Sequence, residues 1–140
     1  MEKITFEIVT LDWKIVSYKE VEKTTGIYQI YGTSPLYGMD TLLYIGKSTD
    51  INKRLSDHID SFEGMGVIGR QPNKSYRVAQ LQEDLLDIVE QTLIVMHKPS
   101  FNSARLINLS PLAKGRAIYI QNHGNRGLLN TEVTNFYFLP

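Results

Sequence analysis

Two stretches, Gly26-Ile27-Tyr28-Gln29-Ile30-Tyr31 and Leu42-Leu43-Tyr44-Ile45-Gly46, are aromatic, β-branched and apolar. Both read as strands. Between them Gly32 to Thr41 carries Ser34-Pro35 and Gly38, the chemistry of a loop. The pair therefore predicts an antiparallel hairpin with a long tip of about ten residues. Downstream, Ile51, Leu55, Ile59 and Phe62 recur at helical spacing, and Thr49 or Asp50 can cap the helix they define. Gly64, Gly66 and Gly69 mark a loop, and Tyr76 to Leu81 reads as a third strand. A second helix runs from about Gln82 to Met96, with Leu85, Ile88, Val89, Thr92, Val95 and Met96 as its inner stripe, and Lys98-Pro99 ends it. Upstream, Thr5 to Tyr18 reads as one or two short strands around Leu11-Asp12. Beyond Asn102 the pattern predicts a loop, a strand near Ala117 to Gln121, a turn at Gly124 to Gly127 and a strand at Val133 to Leu139. Strand, strand, helix, strand, helix and an extension make an α+β fold, a small sheet with helices against it.

The bulk numbers narrow the possible functions. The chain of 140 residues is long enough for one domain with a real core. It has no cysteine, so disulfides, thiolate metal sites and thiol nucleophiles are excluded. No apolar run approaches the roughly 20 residues of a membrane span. The N-terminus, Met1 to Glu7, lacks the apolar centre of a signal peptide. The expectation is a cytoplasmic protein with no membrane partner. The 15 basic and 15 acidic residues balance, which is unusual for a nucleic-acid binder. They are unevenly placed, however. From Gln91 to Thr131 there is no Asp or Glu, while Lys98, Arg105, Lys114, Arg116 and Arg126 fall there. That stretch either offers a positive surface to phosphates or is a chance cluster on a solvated face. Arg70, in the Gly-containing stretch Phe62 to Lys74, is a similar candidate for reaching substrate.

Three sets of residues could carry chemistry. Glu90 has Leu86, Leu93 and Ile94 as helical neighbours, an apolar setting in which a carboxylate needs a cation, either an arginine or a metal ion, unless it lies half-exposed on the helix edge. Asp87, by contrast, neighbours Glu83, Glu90 and Gln91, a solvated set. Arg54 and His58 stand one turn apart on the first helix; they could hold a phosphate and move a proton, or simply margin the core. Tyr28 and Tyr44, one on each strand of the hairpin, could act as a base or position water, or pack with bonded tips.

Taken together these residues resemble the GIY-YIG nuclease family. Gly26-Ile27-Tyr28 and Tyr44-Ile45-Gly46 are similar to its two name-giving motifs. Lys47-Ser48 and Arg54 follow in order, and His58 stands one turn later, as in some restriction-type members. Glu90, within Ile88-Val89-Glu90-Gln91-Thr92-Leu93-Ile94, occupies the place of the family's metal-binding glutamate. Pro99 and Asn102 match its Pro-x-x-Asn ending.

The resemblance covers Thr25 to Ser103. It implies a small three-stranded mixed or antiparallel sheet flanked by helices, here with short N- and C-terminal β extensions. The domain reading is one domain over 1–140, a catalytic core over 25–103 and an extension over 104–140 packed on that core. The implied activity is divalent-metal-dependent hydrolysis of phosphodiester bonds in nucleic acid, double-stranded DNA first, with one Mg2+ or Mn2+ per site held by Glu90. Tyr28 would be the general base and Arg54 would stabilise the pentacoordinate phosphate. Tyr44, His58 and Lys47 would orient water or phosphate, Asn102 would shape the site, and Gly46 would permit close approach. Arg70, Lys114 and Arg116 are the further substrate-binding candidates. The chain contains no zinc pattern and no clear helix-turn-helix, so the expectation is weak specificity, specificity through its own loops, or dependence on a homodimer or a specificity partner. The competing reading is a catalytically silent nucleic-acid-binding module of the same fold.

Overall fold

The computed structural model describes residues 6–17, 23–34, 38–60, 74–99 and 116–136, with backbone alone at 34 and 56–60. In chain order these form β1 (Phe6–Val16), β2 (Gly26–Ser34), β3 (Gly38–Ser48), α1 (Ile51–Asp60), β4 (Ser75–Gln80), a 3-10 turn (Glu83–Leu85), α2 (Leu86–His97), β5 (Ala117–Gly124) and β6 (Glu132–Thr134). The strands make a six-stranded mixed sheet in the order β3-β2-β4-β1-β5-β6. This corrects the expected architecture of a small three-stranded sheet flanked by helices with short β extensions. The terminal segments supply half the sheet, and among the described residues two α-helices lie against it.

The reason lies in β1. Val9, Leu11 and Trp13 are buried while Ile8, Thr10, Asp12 and Lys14 are exposed, an unbroken period of two. Leu11-Asp12 is therefore no break, and a single strand of 11 residues results. β1 pairs in parallel with β5 from Phe6↔Ala117 to Trp13↔Gly124. Its far end pairs antiparallel with β4 at Lys14↔Val78 to Val16↔Tyr76. Partners so distant in sequence leave no local signal. The hairpin also differs from expectation. β2 and β3 stay paired out to Ser34↔Gly38, so much of the expected loop is strand. The loop expected at Gly64, Gly66 and Gly69 lies outside the described residues.

Apolar residues fill both faces of β2, which is why it reads as a continuous apolar run. Ile27 and Tyr31 join Leu11, Trp13, Ile45, Ile118 and Ile120 against Leu86, Val89, Leu93 and Ile94 of α2. On the alternate face Tyr28 and Ile30 meet Tyr76 and the Ile51 and Leu55 face of α1. Met96, expected in the inner stripe of α2, is exposed.

Buried amides stitch the C-terminal strands to this core. Trp13 Nε1 donates to Asn122 Oδ1 at 2.9 Å, and Asn122 Nδ2 donates to the Asn130 carbonyl at 2.8 Å. The turn after β5 closes over the back of β2. Gln29 Nε2 donates to the Arg126 carbonyl at 3.2 Å. Tyr31 Oη donates to Gln29 Oε1 and accepts from Leu128 N at 2.9 Å. Such groups would each cost about 1–3 kcal/mol if left unpaired when buried.

α2 ends on Lys98 in the left-handed conformation, with Lys98 N donating to the Ile94 carbonyl at 2.8 Å. One residue earlier, His97 ties the helix to the turn after β5. Its Nε2 accepts from Asn130 N at 3.0 Å, so the proton sits on Nδ1, which donates to the Leu93 carbonyl at 2.9 Å. Burial lowers the His97 pKa. The unfolded chain, titrating near the ordinary value of about 6.5, therefore takes up the proton first. The contribution of His97 to stability is full above that value and is lost as pH falls through it. Thermal melts should show a larger drop between pH 7 and pH 5 for the wild type than for His97→Gln, whose amide oxygen can still accept from Asn130; equal drops would contradict this.

Candidate active site

β2 and β3 are registered so that Tyr28 lies directly across from Gly46. A Cβ built on Gly46 would land on the Tyr28 ring and hydroxyl. Only glycine leaves the space into which this phenol folds. At the other motif glycine the constraint is backbone: a Cβ on Gly26 would strike the Ala79 carbonyl of β4. The first motif tyrosine is thereby sunk into the sheet, at 1% exposure. The second, Tyr44, lies with its ring centroid 6.1 Å away and tilted by 31°.

The helix after β3 brings the arginine. Asp50 caps α1 by accepting from Lys53 N at 3.2 Å. Ile51 N donates to the Thr24 carbonyl at 2.9 Å, fixing the helix start beside the entry to β2. Ile51 and Leu55 are fully buried, which leaves Arg54 on the exposed flank of the first turn. From there the Arg54 guanidinium hydrogen-bonds the Tyr28 hydroxyl. Glu90 completes the group from α2; it is half-buried among buried Leu86, Val89, Leu93 and Ile94. Its charge also reaches Tyr28. Burial pushes the Tyr28 phenol well above its ordinary value, Tyr44 and Glu90 push the same way, and the Arg54 bond and charge oppose them without winning. At neutral pH this phenol is protonated.

Tyr28, Tyr44, Arg54 and Glu90, from four different elements, are therefore brought together. Lys47, next to Gly46, ion-pairs with Asp87, one turn before Glu90 on α2. Spacing predicts solvated surroundings for Asp87; its side chain is indeed about half-exposed, but its helical neighbour Gln91 is fully buried. Helical spacing alone cannot show what a strand edge presses against a helix. Arg116 is not part of the group. It opens onto β5, three strands from β2 (roughly 14 Å at sheet spacing), where it is paired with Glu7 at 2.9 Å. Arg70, Asn102 and Lys114, and the side chain of His58, lie outside the described residues. A groove of about 780 Å³ lined by Glu7, Thr10, Lys23, Thr25, Gln80 and Glu83 contains none of the four grouped residues.

Among the described residues no three His, Cys, Asp or Glu side chains cluster. The donor set at the site is one carboxylate, Glu90, close enough for its charge to act on the Tyr28 phenol. That fits a hard ion such as Mg2+, which takes one or two carboxylates and fills its shell with water and phosphate. It does not fit a structural zinc centre.

Neither a protein-family model nor a curated protein matches the sequence. The chain is similar in structure to the GIY-YIG N-terminal endonuclease domain of UvrC from Thermotoga maritima. A tyrosine point mutant of that domain, bound to the catalytic divalent cation, aligns at a TM-score of 0.49 and 21% identity, covering 61% of this chain and 89% of that one. A second tyrosine mutant aligns at 0.49 and 22% over the same shares. The magnesium-bound domain aligns at 0.46 and 20%, covering 61% and 90%.

Filling the space at Gly46 tests the frame directly. Gly46→Ala should destabilise the protein by about 1–3 kcal/mol in denaturant unfolding, the usual range for overpacking. The same substitution made together with Tyr28→Ala should cost much less than the sum of the two single changes. Additive costs would show that the ring and the glycine do not meet.

Proposed function

We propose that the chain is a divalent-metal-dependent endonuclease that hydrolyses phosphodiester bonds in nucleic acid, with double-stranded DNA as its substrate and one Mg2+ or Mn2+ per site on Glu90. One observation carries this reading: a buried phenol, a second tyrosine, an exposed arginine and a carboxylate in apolar surroundings converge from four elements, in the order that the GIY-YIG motifs prescribe.

The reaction needs a water oxygen to attack phosphorus in line while the opposite P–O bond breaks. The water's proton must go to a base, and the extra charge on phosphorus must be stabilised. Tyr28 takes the proton at Oη. Its burial is the obstacle, because the phenolate is disfavoured there. Glu90 would hold the divalent cation, which would supply the positive charge that favours the phenolate and offsets charge on the phosphate. Arg54 donates to Tyr28 Oη with one of its five N–H groups, and its exposed flank leaves others for a phosphate oxygen. Tyr44 orients the water from beside the Tyr28 ring. His58 and Asn102 are assigned the orienting and shaping roles that the resemblance implies, and Arg70, Lys114 and Arg116 supply peripheral contacts. A palindromic target would be met by a homodimer and other targets by a specificity partner, within the cytoplasm.

Supercoiled plasmid incubated with Mg2+ or Mn2+ should be nicked or linearised, and EDTA should stop this. Glu90→Gln and Arg54→Ala should each lose about 100-fold or more in rate, as for other groups that stabilise transition-state charge. Folded wild-type protein that cuts neither plasmid, branched DNA nor RNA would overturn the reading. A base with a raised pKa is mostly protonated at neutral pH, so its active fraction grows about tenfold per pH unit below that pKa. The metal-dependent rate should therefore climb between pH 7 and pH 9, and Tyr28→Phe should abolish the climb along with most of the activity. A flat wild-type profile would remove Tyr28 as the base.

A further inference from the structure

Lys47 follows directly on the glycine that houses Tyr28, and in β3 it sits opposite Ile27. Its ammonium contacts Asp87 Oδ1 on α2. Asp87 and Glu90 are three residues apart on that helix, hence on one face and about 5–6 Å apart at Cβ. A phosphodiester approaching Glu90 therefore meets a second carboxylate, Asp87, one turn away on α2, and Lys47 is the cation that β3 sets against it. The pair is part-exposed, with side chains at 31% and 49% of full exposure. Such pairs are weakly held, and a lysine ammonium on its long stem can be passed between partners.

We propose that Asp87 is a positioning residue for Lys47. In the free protein its carboxylate parks the ammonium one helical turn from Glu90. When nucleic acid binds, a phosphate oxygen takes the ammonium from Asp87. Asp87 thereby sets how tightly the site grips its substrate. The inference rests on the proposed function, since it needs a phosphodiester at Glu90. It predicts that removing the carboxylate strengthens substrate binding, the opposite of what loss of a structural ion pair would do.

The test is anisotropy titration of a fluorescein-labelled duplex of arbitrary sequence with the whole protein, in EDTA so that no cleavage occurs, between 50 and 200 mM salt. Asp87→Asn should bind roughly two- to fivefold tighter than wild type, the scale of a part-exposed pair. Its plot of log affinity against log salt should be steeper by up to about one unit, the weight of one phosphate contact. Asp87→Glu should restore wild-type behaviour. In a Lys47→Met background Asp87→Asn should give no gain. Three results would overturn the proposal: unchanged or weaker binding by Asp87→Asn, an unchanged salt slope, or the same gain with Lys47 absent, which would mean that only carboxylate repulsion had been relieved. A wild type that neither binds duplex nor cuts plasmid would remove the proposed function and this inference together; a wild type that does both while Asp87→Asn fails removes this inference alone.

Discussion

The Tyr28 ring occupies the space that a side chain at position 46 would fill. Because β2 and β3 pair in the register that sets these two residues opposite one another, the phenol is driven into the sheet and its hydroxyl is held at a fixed point between strands and helices. Arg54 can reach that hydroxyl only because α1 starts immediately after β3, capped by Asp50 and tied to Thr24. Glu90 can act on it only because α2 packs its apolar stripe against the same hairpin from the other side. Slipping the hairpin by one residue would turn Tyr28 to the opposite face and separate all four groups.

Burying a phenol has an electrostatic consequence. It raises the proton affinity of Tyr28, and Arg54 only partly offsets this. On the proposed reading, positive charge beside Glu90 would be needed before Tyr28 could accept a proton. Rigidity on the far side of β2 supports this. The turn that follows β5 bonds to Gln29 and Tyr31, residues that alternate with Tyr28 and Ile30 along the strand. Arg77 stacks over Tyr31 at 5.1 Å and donates to the Asn125 carbonyl at 3.0 Å. The motif strand is therefore held from both faces, and the C-terminal strands are part of what holds it.

Local features of the site were legible in the sequence, whereas long-range ones were not. The tyrosines on two adjacent strands, the cap at Asp50 and the apolar setting of Glu90 follow from residue type and spacing within a few turns or strand repeats. The sheet's extent did not follow. Nothing near Phe6 announces that Ala117 will be its parallel neighbour, because pairing is decided by tertiary packing rather than by either segment alone. For the same reason the ion pair of Asp87 leaves no local signal. Its helical neighbours are polar, and its true partner, Lys47, comes from a strand some 40 positions earlier. Asn122 and Asn135 are amides that no local pattern marks as core, yet both are buried and satisfied by cross-strand bonds; burial of an amide is visible only once its partners are in place.

The central claim is that Glu90 is a metal ligand at a phosphodiester-cleaving centre around Tyr28. The most direct measurement is anomalous scattering from crystals soaked in Mn2+. The account predicts one strong peak within coordination distance of the Glu90 carboxylate, about 2.1 Å, and its disappearance in crystals of Glu90→Gln. A peak elsewhere with none at Glu90, or a peak that persists in the variant, would contradict it.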